Sequence, residues 1–253
     1  MLDAITNILA RCGLPESVLP PTELFNEGWV LRLVLDWFDR NRAIEHVLRF
    51  EPGASWYSEA LLPSRFLPEV RGDPRAESFT HADGVVGHFK VASGERGDAE
   101  LLPSPAQFIV TEAKLGSALS AGTKNAPAYD QAARNVACIA HMLGSARVDP
   151  TSLKRLGFYV LAPEAQLNTG VFAELVTKAS VEQKVRARIG AYDGKHDAWF
   201  NTTFLPTLEY IDLRILSWEG VLGALPDTPE TRAIKAFYEK CLEFNPLRAK
   251  GAV

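Results

Sequence analysis

The run Gln107-Phe108-Ile109-Val110-Thr111-Glu112-Ala113-Lys114 constrains this chain more than any other segment. Its apolar first half reads as a strand, and in a strand alternate side chains share one face. Glu112 and Lys114 then project together while Ala113 points the other way. Upstream, His81-Ala82-Asp83-Gly84-Val85-Val86 supplies a second carboxylate. Two acids and an ammonium aimed at one spot are the equipment of metal-assisted phosphodiester cleavage. The acids hold a divalent cation, and the lysine stabilises developing negative charge or positions the attacking water.

Bulk properties narrow the setting. With 253 residues and no long linker, one α/β domain over residues 1–253 is expected. A 47% hydrophobic, 23% charged composition supports a core and argues against wholesale disorder. The net charge of -4 gives no general attraction to nucleic acid, so any phosphate-binding residues must be grouped locally. Cys12, Cys138 and Cys241 form neither a zinc spacing nor a disulfide framework, which points to a reducing cytoplasm. The N-terminus lacks the pattern of a signal peptide, and no stretch approaches the ~18 apolar residues of a membrane span.

Periodicity and punctuation lay out the elements. Residues 2–12 read as a helix, and Thr22 or Asn26 caps a second, very apolar one running to about Asn41. His46 to Phe50 reads as a strand, and Tyr57 to Leu62 as a short helix or a strand edge. Further strands are expected at Gly84–Val91, at 107–114 and at Leu156–Leu161, with a polar loop over 93–105 and a helix from Pro127 to Leu143. Helices over 169–189 and 197–209, a strand over Tyr210–Leu216 and a helical turn over Trp218–Leu222 follow. A last helix begins at Thr228-Pro229, where proline takes the first helical position, and ends near Pro246; the basic tail Arg248-Ala249-Lys250 is expected to fray. The pattern describes an α/β layer around a small mixed sheet.

Asp83, then Glu112-Ala113-Lys114 ending an apolar strand, then a helix bearing Gln131, resembles the PD-(D/E)XK nuclease superfamily. The resemblance spans about residues 22–161, leaving 162–253 as a C-terminal extension. It implies a restriction endonuclease-like core, a central mixed β-sheet flanked by helices, here with extra C-terminal helices. It implies Asp83 and Glu112 as ligands of Mg2+ (or Mn2+), Lys114 as the catalytic lysine, and Gln131 as a helper that positions the lysine or the nucleic acid strand. Ala82 stands where the family name has proline. The 29 residues from Asp83 to Glu112 require an extra loop or hairpin.

The resemblance also implies a further acid from the first core helix. Glu27 is one candidate, although a carboxylate at a helix start also complements the helix dipole. Glu59, set among Trp56, Tyr57 and Leu61, is the other. Asp83 itself reads equally as the turn residue of an Asp-Gly pair or as a strand start. Gln131 and Asn135, four apart, share a helix face, which could equally be a polar stripe. His81 shares a strand face with Asp83. Lys124, Arg134, Lys178, Lys184, Arg186 and Arg188 could meet a phosphate backbone or be a solvated helix face. Serine-hydrolase, Walker A and dinucleotide-binding motifs are absent from the sequence.

The expectation is therefore a magnesium-dependent nuclease acting on nucleic acid, with DNA as the expected polymer. A homodimer is the natural arrangement for paired cuts across a duplex. The alternative is a nuclease-fold protein, weak or inactive in catalysis, that serves binding or assembly.

Overall fold

The computed structural model describes residues 1–91 and 98–246. Its strands, in chain order, are β1 (Ser55–Leu62), β2 (Thr80–Gly87), β3 (Phe89–Val91), β4 (Ala99–Leu101), β5 (Gln107–Ala113), β6 (Arg155–Ala162) and β7 (Asp212–Ser217). Five of them form one mixed sheet in the order β1-β2-β5-β6-β7. The β1–β2 and β2–β5 pairs are antiparallel; β5–β6 and β6–β7 are parallel. β3 and β4 pair separately. β5 sits in the middle, and all of its residues are buried. Helices cover both faces of the sheet, which is why β5 is apolar on both.

The helices are α1 (Leu2–Ala10), α2 (Pro21–Leu24), α3 (Glu27–Arg40), α4 (Gln131–Ala146), α5 (Glu164–Leu167), α6 (Lys178–Gly190), α7 (Asp197–Trp199), α8 (Leu205–Tyr210), α9 (Trp218–Gly223) and α10 (Pro229–Phe244). A π-helical turn, Phe200–Phe204, joins α7 to α8. One core lies between the sheet and α4 and α6, where Phe108, Val110, Val136 and Val181 meet. The other lies between the sheet and α3, α9 and α10, where Ile109, Ala113, Leu31 and Trp218 meet. β5 thus alternates between the two cores residue by residue.

Helix α3 begins where Asn26 accepts the Trp29 N–H at 3.1 Å. Leu31 and Leu35 are fully buried, each contributing about 1.5–3 kcal/mol. They press on Gly84, where an added Cβ would lie 3.0 Å and 3.1 Å from them and 2.6 Å from Thr111 Oγ1. Glycine there lets helix and sheet approach closely. Asp130 caps α4 through the Ala133 N–H, 3.0 Å, and so fixes the helix that faces the other side of β5.

Several sequence expectations are corrected. His46–Phe50 is a turn, not a strand: the Arg49 N–H folds back to the His46 carbonyl, and the Gln107 side chain takes the Arg49 carbonyl and the Glu51 N–H. The strand expected over Gly84–Val91 is two, because the chain turns at Gly87 (φ 151), where a Cβ would lie 2.2 Å from the Gln107 carbonyl. Tyr57–Leu62 is strand, within β1. The helix expected from Pro127 starts at Gln131, at the Asp130 cap, and the one expected from 169 starts at Lys178, at a Thr177 cap. The loop read over 93–105 contains β4; its residues 93–97, like the tail at 248–250, lie outside the described residues. No helix among the described residues is long and apolar enough to cross a membrane.

Candidate functional site

The β2–β5 ladder stops at Gly84↔Thr111, although β2 begins at Thr80 and β5 runs on to Ala113. The strands part there, and a side chain fills the gap: Asp83 Oδ2 accepts the Ala113 N–H at 2.8 Å. That backbone donor fixes the orientation of the carboxylate. On the far side of β5, the Lys114 N–H donates to the Leu161 carbonyl at 2.8 Å and the Trp218 indole N–H donates to the Lys114 carbonyl at 3.2 Å. The main chain of Lys114 is therefore held on both sides. Its Nζ turns inward, 3.2 Å from Glu112 Oε2 and 3.8 Å from Asp83 Oδ2, with the side chain 10% exposed.

Glu112 is fully buried on the α4 face of β5 and accepts three side-chain donors, Lys114, Gln131 and Asn135. Gln131 Nε2 reaches Oε2 at 2.6 Å, and Asn135 Nδ2 reaches Oε1 at 2.8 Å. The four-residue spacing of Gln131 and Asn135 brings both amides to one carboxylate. Gln131 is itself tied to the loop after Lys114, through its N–H to the Ser120 carbonyl (2.9 Å) and its Oε1 from the Ser120 N–H (3.3 Å). Asn135 Oδ1 is buried without a hydrogen-bond partner. Burial, followed by the charge of nearby Asp83, pushes the Glu112 carboxyl up to about 8, against the opposing pull of Lys114. When both carboxyls are ionised, the single lysine between them leaves the pair one positive charge short.

That shortage defines what the pair can hold. Its donors are carboxylate oxygens, the hard ligands that magnesium and manganese prefer, and magnesium is commonly held by one or two carboxylates with waters and substrate oxygens completing its shell. Asp83 and Glu112 fit that requirement. Among the described residues no three His, Cys, Asp or Glu side chains converge as a metal-enclosing group.

The additional acids stand elsewhere. Glu59 has a positive φ of 57° and lies between the register pairs Ser58↔Gly84 and Ala60↔Ala82, hence opposite Asp83. Its carboxylate is 54% exposed and pairs with Arg32 at 3.2 Å. Glu27 stands in the first turn of α3, beside the Cys241 thiol, whose pKa it helps to raise after burial. Neither forms a three-acid group with Asp83 and Glu112. His81 is exposed.

Of the basic residues that could meet a phosphate backbone or form a solvated helix face, most are engaged within the chain. Lys184 pairs with Asp130 at 2.6 Å, Arg186 with Glu182 at 2.7 Å, and Arg134 bonds Ser120 Oγ at 2.9 Å. Arg188 is buried, its guanidinium 4.8 Å from the centre of the Phe66 ring and 5.1 Å from that of Tyr192. Lys178 donates to the Glu209 carbonyl, and Lys124 is exposed. Reading residue types alone missed Asn135 as a partner of Glu112, although its spacing from Gln131 was the signal. Compared with known proteins, the chain matches no family model, no curated protein and no solved structure.

Proposed function

We propose that this protein is a divalent-metal-dependent nuclease of the restriction endonuclease-like fold. The observation that carries the reading is the meeting of Asp83, Glu112 and Lys114 where β2 and β5 part. The sheet order β1-β2-β5-β6-β7, with α3 and α4 on opposite faces, supports the fold assignment. A bound Mg2+ or Mn2+ ion would supply Lewis acidity at a phosphodiester oxygen and lower the pKa of a water.

The chain's own residues do the remaining work. Gln131 and Asn135 hold Glu112 in one rotamer, so its oxygens need no reorganisation as a substrate arrives. The Ala113 N–H does the same for Asp83. Lys114 keeps a positive charge within reach of both acids, where a phosphoryl group gathers negative charge on the way to the transition state. DNA is the substrate polymer in this reading, and a homodimer would place two sites on a duplex.

The test is cleavage of supercoiled and linear DNA by the purified chain with Mg2+ or Mn2+, with and without chelator. Metal-dependent cutting that Lys114→Ala abolishes, with the far-ultraviolet circular dichroism unchanged, is the expected result. A variant that cuts as fast as the parent would sink the assignment of Lys114. A second reading, binding without cleavage, is favoured by one observation: no third acid joins Asp83 and Glu112 among the described residues. Metal binding in a parent chain that cuts neither DNA nor RNA would select it.

A further inference from the structure

A concavity about 680 Å³ in volume opens at the end of the sheet opposite Glu112 and Lys114. Arg155 begins β6 and Asp212 begins β7, whereas Glu112 and Lys114 end β5. The length of a strand separates the two places, about 20 Å at ~3.3 Å per residue. The cleft lies on the α3 face, because Gln107 and Tyr159 share the side of Ile109 and Leu161.

Its centre is Glu51, a carboxylate only 6% exposed. Three cations meet it: Arg155 Nε at 3.1 Å, Arg49 Nη2 at 3.4 Å and Lys154 Nζ at 3.8 Å. Over the whole lining, four cations (Arg49, Lys154, Arg155 and Arg214) face three carboxylates (Glu45, Glu51 and Asp212), an excess of one positive charge. Glu45 pairs with Arg49 from solvent, 77% exposed, and Lys154 is 70% exposed, so water screens both, and Arg155 and Arg49 are the cations that bear most on Glu51. A fourth cation, Arg214, pairs with Asp212, whose Oδ2 also accepts the Tyr159 hydroxyl at 3.2 Å. His46 lines the same wall, and burial together with Arg155 and Arg214 holds it below its ordinary value, which favours its neutral form and adds no further positive charge. In a chain of net charge -4, this is a local reversal of sign.

The wall is held in place. Buried Gln107 donates to the Arg49 carbonyl and accepts the Glu51 N–H, each at 2.8 Å. Arg155 Nη1 donates to the carbonyls of His46 and Val47, each at 3.2 Å. At the rim, Tyr210 is 42% exposed, with its hydroxyl anchored to the Leu153 carbonyl at 3.0 Å. The volume is that of a small-molecule site, guanidinium forks suit phosphate oxygens, and an anchored, exposed tyrosine offers a face to a flat ring.

We propose that this cleft binds a nucleotide, its phosphate seated between Lys154, Arg155 and Arg214 and its base against Tyr210. The phosphate brings the negative charge that Glu45, Glu51 and Asp212 together do not supply. The occupant is a free nucleotide or a nucleotide unit of a polynucleotide, since the recognised chemistry is the same. The proposal stands independently of the Asp83–Glu112 reading.

Calorimetric titration of the full chain with AMP, and separately with inorganic phosphate, tests it at low salt with chelator present. AMP is expected to bind once per chain and more tightly than phosphate. Lys154→Ala with Arg214→Ala, both at exposed side chains, should weaken AMP by roughly tenfold or more. Tyr210→Ala should weaken AMP severalfold and leave phosphate unchanged, and Asp83→Ala should bind AMP as the parent does. The proposal is overturned by a parent that does not bind AMP at millimolar concentration, by AMP binding that survives the double variant, by phosphate binding as tightly as AMP, or by loss in Asp83→Ala. Given binding as expected, a competing oligonucleotide identifies the occupant: displacement of AMP marks the polymer, persistence marks the free nucleotide.

Discussion

Each end of the central sheet buries a glutamate, and the two are treated in opposite ways. Glu112 has another carboxylate, Asp83, beside it and one lysine to offset both. Glu51 has three cations around it, Arg155, Arg49 and Lys154. The first end lacks positive charge; the second has it in excess. Buried charge is costly unless compensated, so each end is incomplete in a direction that names its missing partner. In the proposed readings a cation would complete one and an anion the other. The same strand serves both: Gln107 at the start of β5 braces the cationic end, and Glu112 near its finish is the anionic one.

If the two ends are separate sites, variants at one should leave the other alone. The largest effect belongs to Lys114→Ala, expected to slow DNA cleavage on the order of 10²–10³-fold, the scale seen when a group that stabilises transition-state charge is removed. Its AMP affinity should not move; a parallel fall would merge the two ends into one site. Next comes Asn135→Ala, which strips one donor from Glu112 Oε1. Loss of such a supporting contact should cost ~10–100-fold in Mn2+ affinity by calorimetry. Unchanged affinity would make the Asn135 contact a packing detail.

The proton balance of Glu112 sharpens the comparison further. In the folded, metal-free chain its carboxyl titrates near 8, against the ordinary carboxylate range once unfolded. Between those values the folded state binds more protons, so stability falls as pH rises, by up to about 1.4 kcal/mol per pH unit. Urea denaturation at several pH values between 5 and 8 should show that decline, and Glu112→Gln should flatten it. Bound metal requires the deprotonated carboxylate, so its affinity should rise over the same window. The smallest effect is expected of Glu59→Gln, which breaks an exposed pair with Arg32 worth under ~1 kcal/mol. A large loss of metal binding in that variant would bring Glu59 into the site.

Much of the first end was legible in the chain. The apolar run before Glu112 reads as a strand because both of its faces are covered, and strand alternation alone sets Glu112 and Lys114 side by side. The amides of Gln131 and Asn135 were visible as a helical pair, though not their shared target. The second end was not legible, since Lys154–Arg155 and Arg214 are joined by the pairing of β6 and β7, and Arg49 is brought to them by the Gln107 side chain of β5. Local pattern misled at His46–Phe50, where a strand-like alternation serves a turn whose backbone is bonded by the Gln107 side chain. It also misled at the basic residues of α6. Arg188 there is buried among aromatic rings, and Lys184 is paired with Asp130.

Calorimetric titration with Mn2+ at pH 8 tests the central claim most directly, because it asks whether the opposed carboxylates hold a cation at all. Saturable binding by the parent chain, lost in Asp83→Ala and retained in Lys154→Ala, is the predicted result. A parent that takes up no metal, or an Asp83→Ala chain that binds it equally well, would contradict the account.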